Sequence, residues 1–150
     1  MKRQSGFNLI ELMVVITIAA IMLGIGIPSF RQFTATQRVK AAAFDFAAAL
    51  LLARSEAVKR NASVTLSEAT GGWANGWTIT VGADTVGNQQ PTNSVAITPN
   101  PNTTTSIAYQ SNGRVAGTMR FEFTAPNTTA IRCVTISASG VPNTTTTGCS

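Results

Sequence analysis

An α+β fold, one long N-terminal α-helix packed on an antiparallel β-sheet domain, is predicted by three features of the chain. Residues 12–30 run for 19 positions without a charge. Residues 31–61 continue as an alanine-rich amphipathic segment. After Asn61 the composition changes abruptly to Thr, Asn, Gly, Ser and Val, in short β-type runs broken by turn-formers. At 150 residues and 15.7 kDa there is room for one such domain and an appendage, not for two cores.

The uncharged run, LMVVITIAAIMLGIGIPSF, would span about 28 Å as a helix, close to the hydrocarbon thickness of a bilayer. The segment MKRQSG precedes it, basic through Lys2 and Arg3. Basic-then-apolar order marks a secretory signal or an anchor with its N-terminus inside. A cleavable signal should end in a small-residue site after its apolar core. Here the run passes through Pro28 into a polar-faced helix, so the helix is expected to be retained. Gly24, Gly26 and Pro28 weaken it locally and would permit bending or melting there.

Glu11 does not fit a plain anchor, because a carboxylate in an apolar run is costly to bury unless paired. Two readings stand. Glu11 is solvated at headgroup level, or it meets a cation. Cleavage after Gly6 would create one, the α-amino group of Phe7, four residues away and one helical turn distant. The same carboxylate could reach the N-terminus of a neighbouring subunit and set axial register.

In the amphipathic segment, Val39, Ala43, Phe46, Leu50, Ala53 and Ala57 recur at spacings of four and three, forming one stripe. Arg38, Lys40, Asp45, Arg54, Glu56 and Lys59 take other faces. Alanine favours helix intrinsically, so a continuous helix from about Phe7 to Asn61 is expected, its stripe packed on the following domain. Strands are expected at residues 63–67, 77–81, 94–98, 106–110, 118–124 and 131–137, separated by Gly, Pro and Asn turn signals. Met119, Phe121 and Phe123 share one face of their strand. Asn112 and Gly113 lie between two apolar runs and suggest a hairpin. Trp73 and Trp77 read as packing residues.

Composition argues against catalysis. The chain has 11 Lys and Arg against 6 acids, net +5, and no histidine, which removes the commonest general base and the commonest metal ligand. Cys133 and Cys149 cannot make a four-ligand zinc site. No nucleophile elbow, phosphate loop or metal-ligand spacing is present. No catalytic residue, cofactor or metal site is expected, and the chain reads as a membrane-linked or exported structural part.

The stretch Gly6, Phe7, Asn8, Leu9, Ile10, Glu11, Leu12 resembles the class III signal of type IV pilins and type II secretion pseudopilins, with Asn8 where Thr is usual. The resemblance implies that a prepilin peptidase cuts between Gly6 and Phe7 and N-methylates Phe7. It further implies that Glu11 is the assembly residue and Pro28 the helix-kinking proline. Later segments resemble the GspH/FimT family. These are ARSEAVKRN at residues 53–61, Trp73 with Gly76, Trp77 and Asp84, then Ser111 to Arg114, and Phe121 with Glu122 and Phe123. The organisation so implied is a leader at residues 1–6, an apolar transmembrane and filament-core half at 7–30, the amphipathic half at 31–61 and a periplasmic or extracellular β domain at 62–150.

That resemblance implies a minor pilin that works with other minor pilins, the major pilin and an inner-membrane assembly platform. It would join a tip complex that primes assembly. The subunit would be stored in the bacterial inner membrane as a single-pass protein with its domain in the periplasm, then move into the pilus. In that compartment disulfides persist, and a Cys133–Cys149 bridge closing 16 residues would pin the C-terminal tail. Two alternatives stand beside this reading: a type II secretion pseudopilin, and a DNA-binding minor pilin for DNA uptake. DNA-binding members carry a C-terminal Gly-Arg-x-Arg tail. The matching stretch here, Ser139 to Asn143, has no arginine, so Arg114, Arg120 and Arg132 are the candidate contacts. Removal of the leader takes two positive charges and leaves +3 of the +5.

Overall fold

A computed structural model describes residues 8–92 and 94–149. Helix α1 runs unbroken from Leu9 to Arg60, 52 residues, with Pro28 inside it. Eight strands follow: β1 Val64–Glu68, β2 Trp77–Val81, β3 Asp84–Gln89, β4 Ala96–Asn100, β5 Ser106–Tyr109, β6 Met119–Thr124, β7 Arg132–Ile136 and β8 Pro142–Thr145. They form two four-stranded sheets, ordered β3-β2-β1-β5 and β4-β6-β7-β8, and every pairing is antiparallel. The second half of α1 packs against both sheets, touching β1, β2 and β5 of the first and β6, β7 and β8 of the second.

The helix stops for a local reason. Asn61 takes a left-handed conformation, φ 47° and ψ 41°, which Asn tolerates better than most residues. The Asn61 N–H then donates to the Val58 carbonyl and the Ala62 N–H to the Ala57 carbonyl. This Schellman pattern satisfies the last carbonyls of the helix. Lys59 and Arg60 in the final turn complement the negative end of the dipole.

All six stripe residues, Val39 to Ala57, are completely buried. Phe46 is the hub. Its ring centroid lies 5.5 Å from Trp73, 5.1 Å from Trp77, 4.7 Å from Phe121 and 5.6 Å from Phe123. Both tryptophans meet it edge-on, the geometry the ring quadrupoles favour. Trp77 belongs to the first sheet and Phe121 and Phe123 to the second, so one helical side chain joins the two layers. The Trp73 indole N–H donates to the Thr104 carbonyl at 2.7 Å. Gly76, at φ 102°, sits where a Cβ would collide with the Gln89 carbonyl oxygen, which fixes glycine between the two tryptophans.

The strands differ from expectation at four places. The stretch expected at 94–98 starts two residues later, because Ser94 has φ 65° and cannot lie in a strand. Asn112 and Gly113 do form a tight turn, in which the Gly113 N–H donates to the Gln110 carbonyl. Its flanking strands, however, enter different sheets: β5 pairs with β1, and β6 pairs with β4 and β7. The expected hairpin is therefore a crossover between sheets. Strands β3 and β8 were not expected at all. Both are polar edge strands, and Pro142 opens β8, where a missing N–H costs no ladder bond. Pro99 is accommodated likewise on edge strand β4.

Tyr109, the single tyrosine, closes the seam between sheets. It is fully buried and its hydroxyl donates to the Gly140 carbonyl at 3.2 Å. Burial pushes its phenol up from 10.0 to about 12, against the opposing pull of Arg54. A raised folded-state value means stability that is complete below pH 10 and is lost as pH rises towards about 12. Tyrosinate absorbance at 295 nm should therefore titrate near 12 in the folded chain and near 10 in denaturant. A folded-state midpoint at 10 would show the ring to be solvated.

Candidate functional site

Chemistry-bearing side chains are scarce, and the fold leaves an extended apolar surface uncovered. Between Leu9 and Phe30 the apolar side chains of the described residues are open, with Leu9 73%, Met22 70% and Phe30 67% exposed. The span is long and apolar enough to cross a membrane. Farther along α1, Phe44 and Leu51 stay exposed, and so does Val58 beside the crossover turn at Gly113. Their spacing of seven puts them on one line. The helix thus has two apolar seams in its second half, one filled by its own sheets and one open.

Glu11 lies in the first turn of α1, where the positive end of the helix dipole favours a carboxylate. It has no ion pair among the described residues. Asn8 precedes the helix in extended conformation, and its carbonyl accepts from the N–H groups of Glu11 and Leu12. Gly6 and Phe7, the expected cleavage pair, lie outside the described residues.

The segment ARSEAVKRN gains a structural account that sequence reading missed. Ala53 and Ala57 are buried against the domain. Arg54 points along the helix flank and its Nε–H donates to the Gly113 carbonyl at 3.1 Å. Gly113 has φ 73°, and a Cβ there would press within 3.0–3.2 Å of Val58 and Arg54. Residues 53–61 and 111–114 are therefore one interlocked unit. Glu56 receives Arg60 at 2.6 Å and Lys59 at 3.6 Å, and Arg60 also reaches Asp84 at 3.6 Å. The hydrogen bond from Arg60, with help from Lys59, holds the Glu56 carboxyl below the usual carboxylate range. The signal available in sequence was the joint presence of an Arg in the first segment and a Gly in the second; only the topology reveals their pairing.

Cys133 and Cys149 are joined by a disulfide, Cα–Cα 5.2 Å, across a separation of 16 residues. The bridge holds β8 against β7, and the Cys149 N–H donates to a Glu122 carboxylate oxygen at 3.0 Å. On the chain-entropy account a loop of this size contributes about 3 kcal/mol. The double variant Cys133→Ser/Cys149→Ser should lose about that much in denaturant unfolding, and equal stability with and without reductant would contradict the assignment.

The three arginines considered for DNA are not gathered onto one surface. Arg120 opposes Thr135 and Arg132 opposes Phe123 in neighbouring strands. By the two-residue alternation of a strand, these registers put Arg120 and Arg132 on opposite faces of their sheet. Arg114 lies in the crossover turn between sheets, and Arg132 donates back to its neighbour's carbonyl, that of Ile131. Among the described residues no cluster of His, Cys, Asp or Glu is placed to hold a metal ion.

Comparison with known proteins agrees with this architecture. The family described as Type II transport protein GspH matches residues 42–140, and the Prokaryotic N-terminal methylation motif matches residues 1–27. No curated protein sequence matches the chain. The fold is similar to crystal structures of the Pseudomonas aeruginosa (strain PAO1) type IV minor pilin FimU. In space group P21 the TM-score is 0.64 at 20% identity, covering 77% of this chain and 92% of that one. In space group P65 it is 0.63 at 19% identity, covering 71% and 91%. The long helix, the antiparallel sheets and the methylation motif are those of structural pilin subunits, which anchor by an apolar N-terminus and assemble with other pilins. The GspH match spans most of the sheet-bearing half, and with the methylation motif at the other end it places this chain in the GspH/FimT family of type IV minor pilins and pseudopilins.

Proposed function

We propose that this chain is a minor pilin of a type IV pilus, matured by a prepilin peptidase that cuts between Gly6 and Phe7 and methylates the new amine. The observation that carries the reading is the division of α1. Its second half is buried by its own sheets, while its first half presents an open apolar surface of membrane-spanning length. Such a helix has two environments available, lipid and other helices. The subunit waits in the inner membrane with its domain in the periplasm. Helices then exchange lipid contacts for helix contacts as the filament grows. The residue at Pro28 lacks an N–H for the Gly24 carbonyl, and together with Gly24 and Gly26 it marks where α1 bends or melts on entering the filament. Glu11 pairs with the Phe7 amine of its own or a neighbouring chain. The open line Phe44, Leu51, Val58 continues the contact surface outward toward neighbouring pilins. The place in the assembly is a tip complex that primes growth and connects to the major pilin.

The test is maturation coupled to location. Gly6→Val should leave the leader attached, visible as a heavier chain in membranes, and should remove the subunit from sheared filaments. Gold label against the wild-type domain should sit at one filament end. A normal-sized mature Gly6→Val chain would sink the processing claim, and label along the whole filament would make this a major subunit. The name of the matching family favours one other reading, a type II secretion pseudopilin. In that case deletion would abolish protein secretion and leave surface filaments unchanged.

A further inference from the structure

The surface just beyond the apolar span holds two arginines beside a cavity. Arg31, Thr34, Ala35 and Arg38 line one face of α1 at the 3.6-residue period. Together with Ser94 and the turn ending at Asn127 they line a partly open cavity of about 180 Å³. The cavity is held open by structure on both sides. Ala35 is buried at its base, and Thr36 on the helix hydrogen-bonds Thr128 beside the turn at 2.8 Å. Neither arginine forms an ion pair among the described residues. No acid lines the cavity, and the sequence has no acid between Glu11 and Asp45. Two arginines therefore line a concave space whose own lining carries no acid, while Asp45 lines the adjoining groove with Arg38.

Position along the helix says which anion is near. The uncharged span ends at Phe30, so Arg31 follows the apolar stretch directly and Arg38 lies about 10 Å farther out at 1.5 Å per residue. That interval is the headgroup layer of a bilayer whose hydrocarbon core the span fills. The same cations are on the translocated side, where Lys and Arg are ordinarily depleted near a membrane span. We infer that the Arg31–Arg38 cavity is a binding site for a phosphate group, presented by an anionic phospholipid while the subunit is stored in the membrane. Guanidinium forks match phosphate oxygens in pairs. The occupied site fixes the depth of the helix and the seating of the domain on the membrane surface. This rests on the membrane-storage reading above.

The full chain, purified in an uncharged detergent with equal phosphatidylglycerol and phosphatidylcholine of matched chains, is examined for retained lipid by native mass spectrometry. The wild type should retain phosphatidylglycerol about thirtyfold over phosphatidylcholine, as expected for two cations at an anionic surface. Arg31→Gln/Arg38→Gln should hold the two lipids equally, with unchanged tryptophan fluorescence as the check on folding. Lys40→Gln, outside the cavity, should behave as wild type. Wild-type indifference between the lipids, or undiminished preference in the double variant, would overturn the site. A second arm adds millimolar inorganic phosphate. Displacement of the lipid would support the phosphate site and assign its physiological occupant to a free anion. Failure to displace would support the lipid as its source. Alkaline extraction of membranes separately checks storage: a chain released by alkali refutes the membrane reading whatever the lipid counts.

Discussion

Replacing Glu11 with alanine is expected to leave the chain in the membrane and remove it from filaments, a drop in incorporation of about a hundredfold or more. The two environments of α1 treat this carboxylate oppositely. In the bilayer Glu11 lies in the first helical turn, near the interface, where losing a charge makes insertion no harder. On the pairing proposed above, the Phe7 amine of one chain meets this carboxylate in a bundle of helices, and deleting one partner of a buried pair costs about 3–5 kcal/mol. At about 1.4 kcal/mol per tenfold, this exceeds two orders of magnitude. Glu11→Gln should fail similarly, since shape without charge leaves the ammonium uncompensated. Membrane fractions and sheared filaments from the same cells, probed for the chain, give both quantities at once. Wild-type amounts of Glu11→Ala in filaments would mean that the carboxylate has no part in assembly.

Phe46→Ala should be the most damaging change in the folded head. The residue has no exposed surface and contacts aromatic rings from both sheets and from the turn between Trp73 and Asn75. Removing a buried Phe costs about 3–5 kcal/mol, with larger values where the surroundings cannot collapse. Here they cannot, because the four rings that frame the void are held by β2, by β6 and by the turn at Trp73. A domain of this size should lose on the order of 15 °C in Tm. Phe46→Leu should recover most of the loss. Near-UV circular dichroism follows it directly, since both tryptophans report on this ring. A shift of only a few degrees would show that the sheets hold together without the helix.

Legibility from sequence followed hydrophobic period. The stripe from Val39 to Ala57 could be read residue by residue because a helix must turn one face to its core, and every member is buried. The strand at Trp77–Val81 matched to the residue, and that at Met119–Thr124 to within one. Both alternate between buried and half-buried positions. Strands β3 and β8 carry no such signal. The sequence DTVGNQ has no fully buried residue and PNTT has no large apolar side chain, so hydrogen bonding to a neighbour, not burial, makes them strands. The division into two sheets was equally invisible, because partner choice by β5 and β6 is a long-range decision that no local pattern encodes. Among the expected functional residues, the cysteines were legible as types out of place, two thiols in a chain without metal spacing, and they are bridged. The Arg31–Arg38 cavity was not, since its far wall comes from residues 94 and 125–127.

The bridge between Cys133 and Cys149 also sets how the head answers to mechanical load. A filament subunit pulled through its helix and a surface contact is under tension along its chain. The 16 residues closed by the bridge would otherwise supply about 55 Å of contour length. With the sulfurs joined, that length is withheld: unravelling from the C-terminal end can extend the chain no farther than Cys133, on the strand beside the centre of the second sheet. Strand β8 can peel away, yet it remains tethered within a few residues of its partner and re-forms when tension falls. The bridge therefore acts as a stop on extension, making damage to the head local and recoverable where an open tail would let it spread.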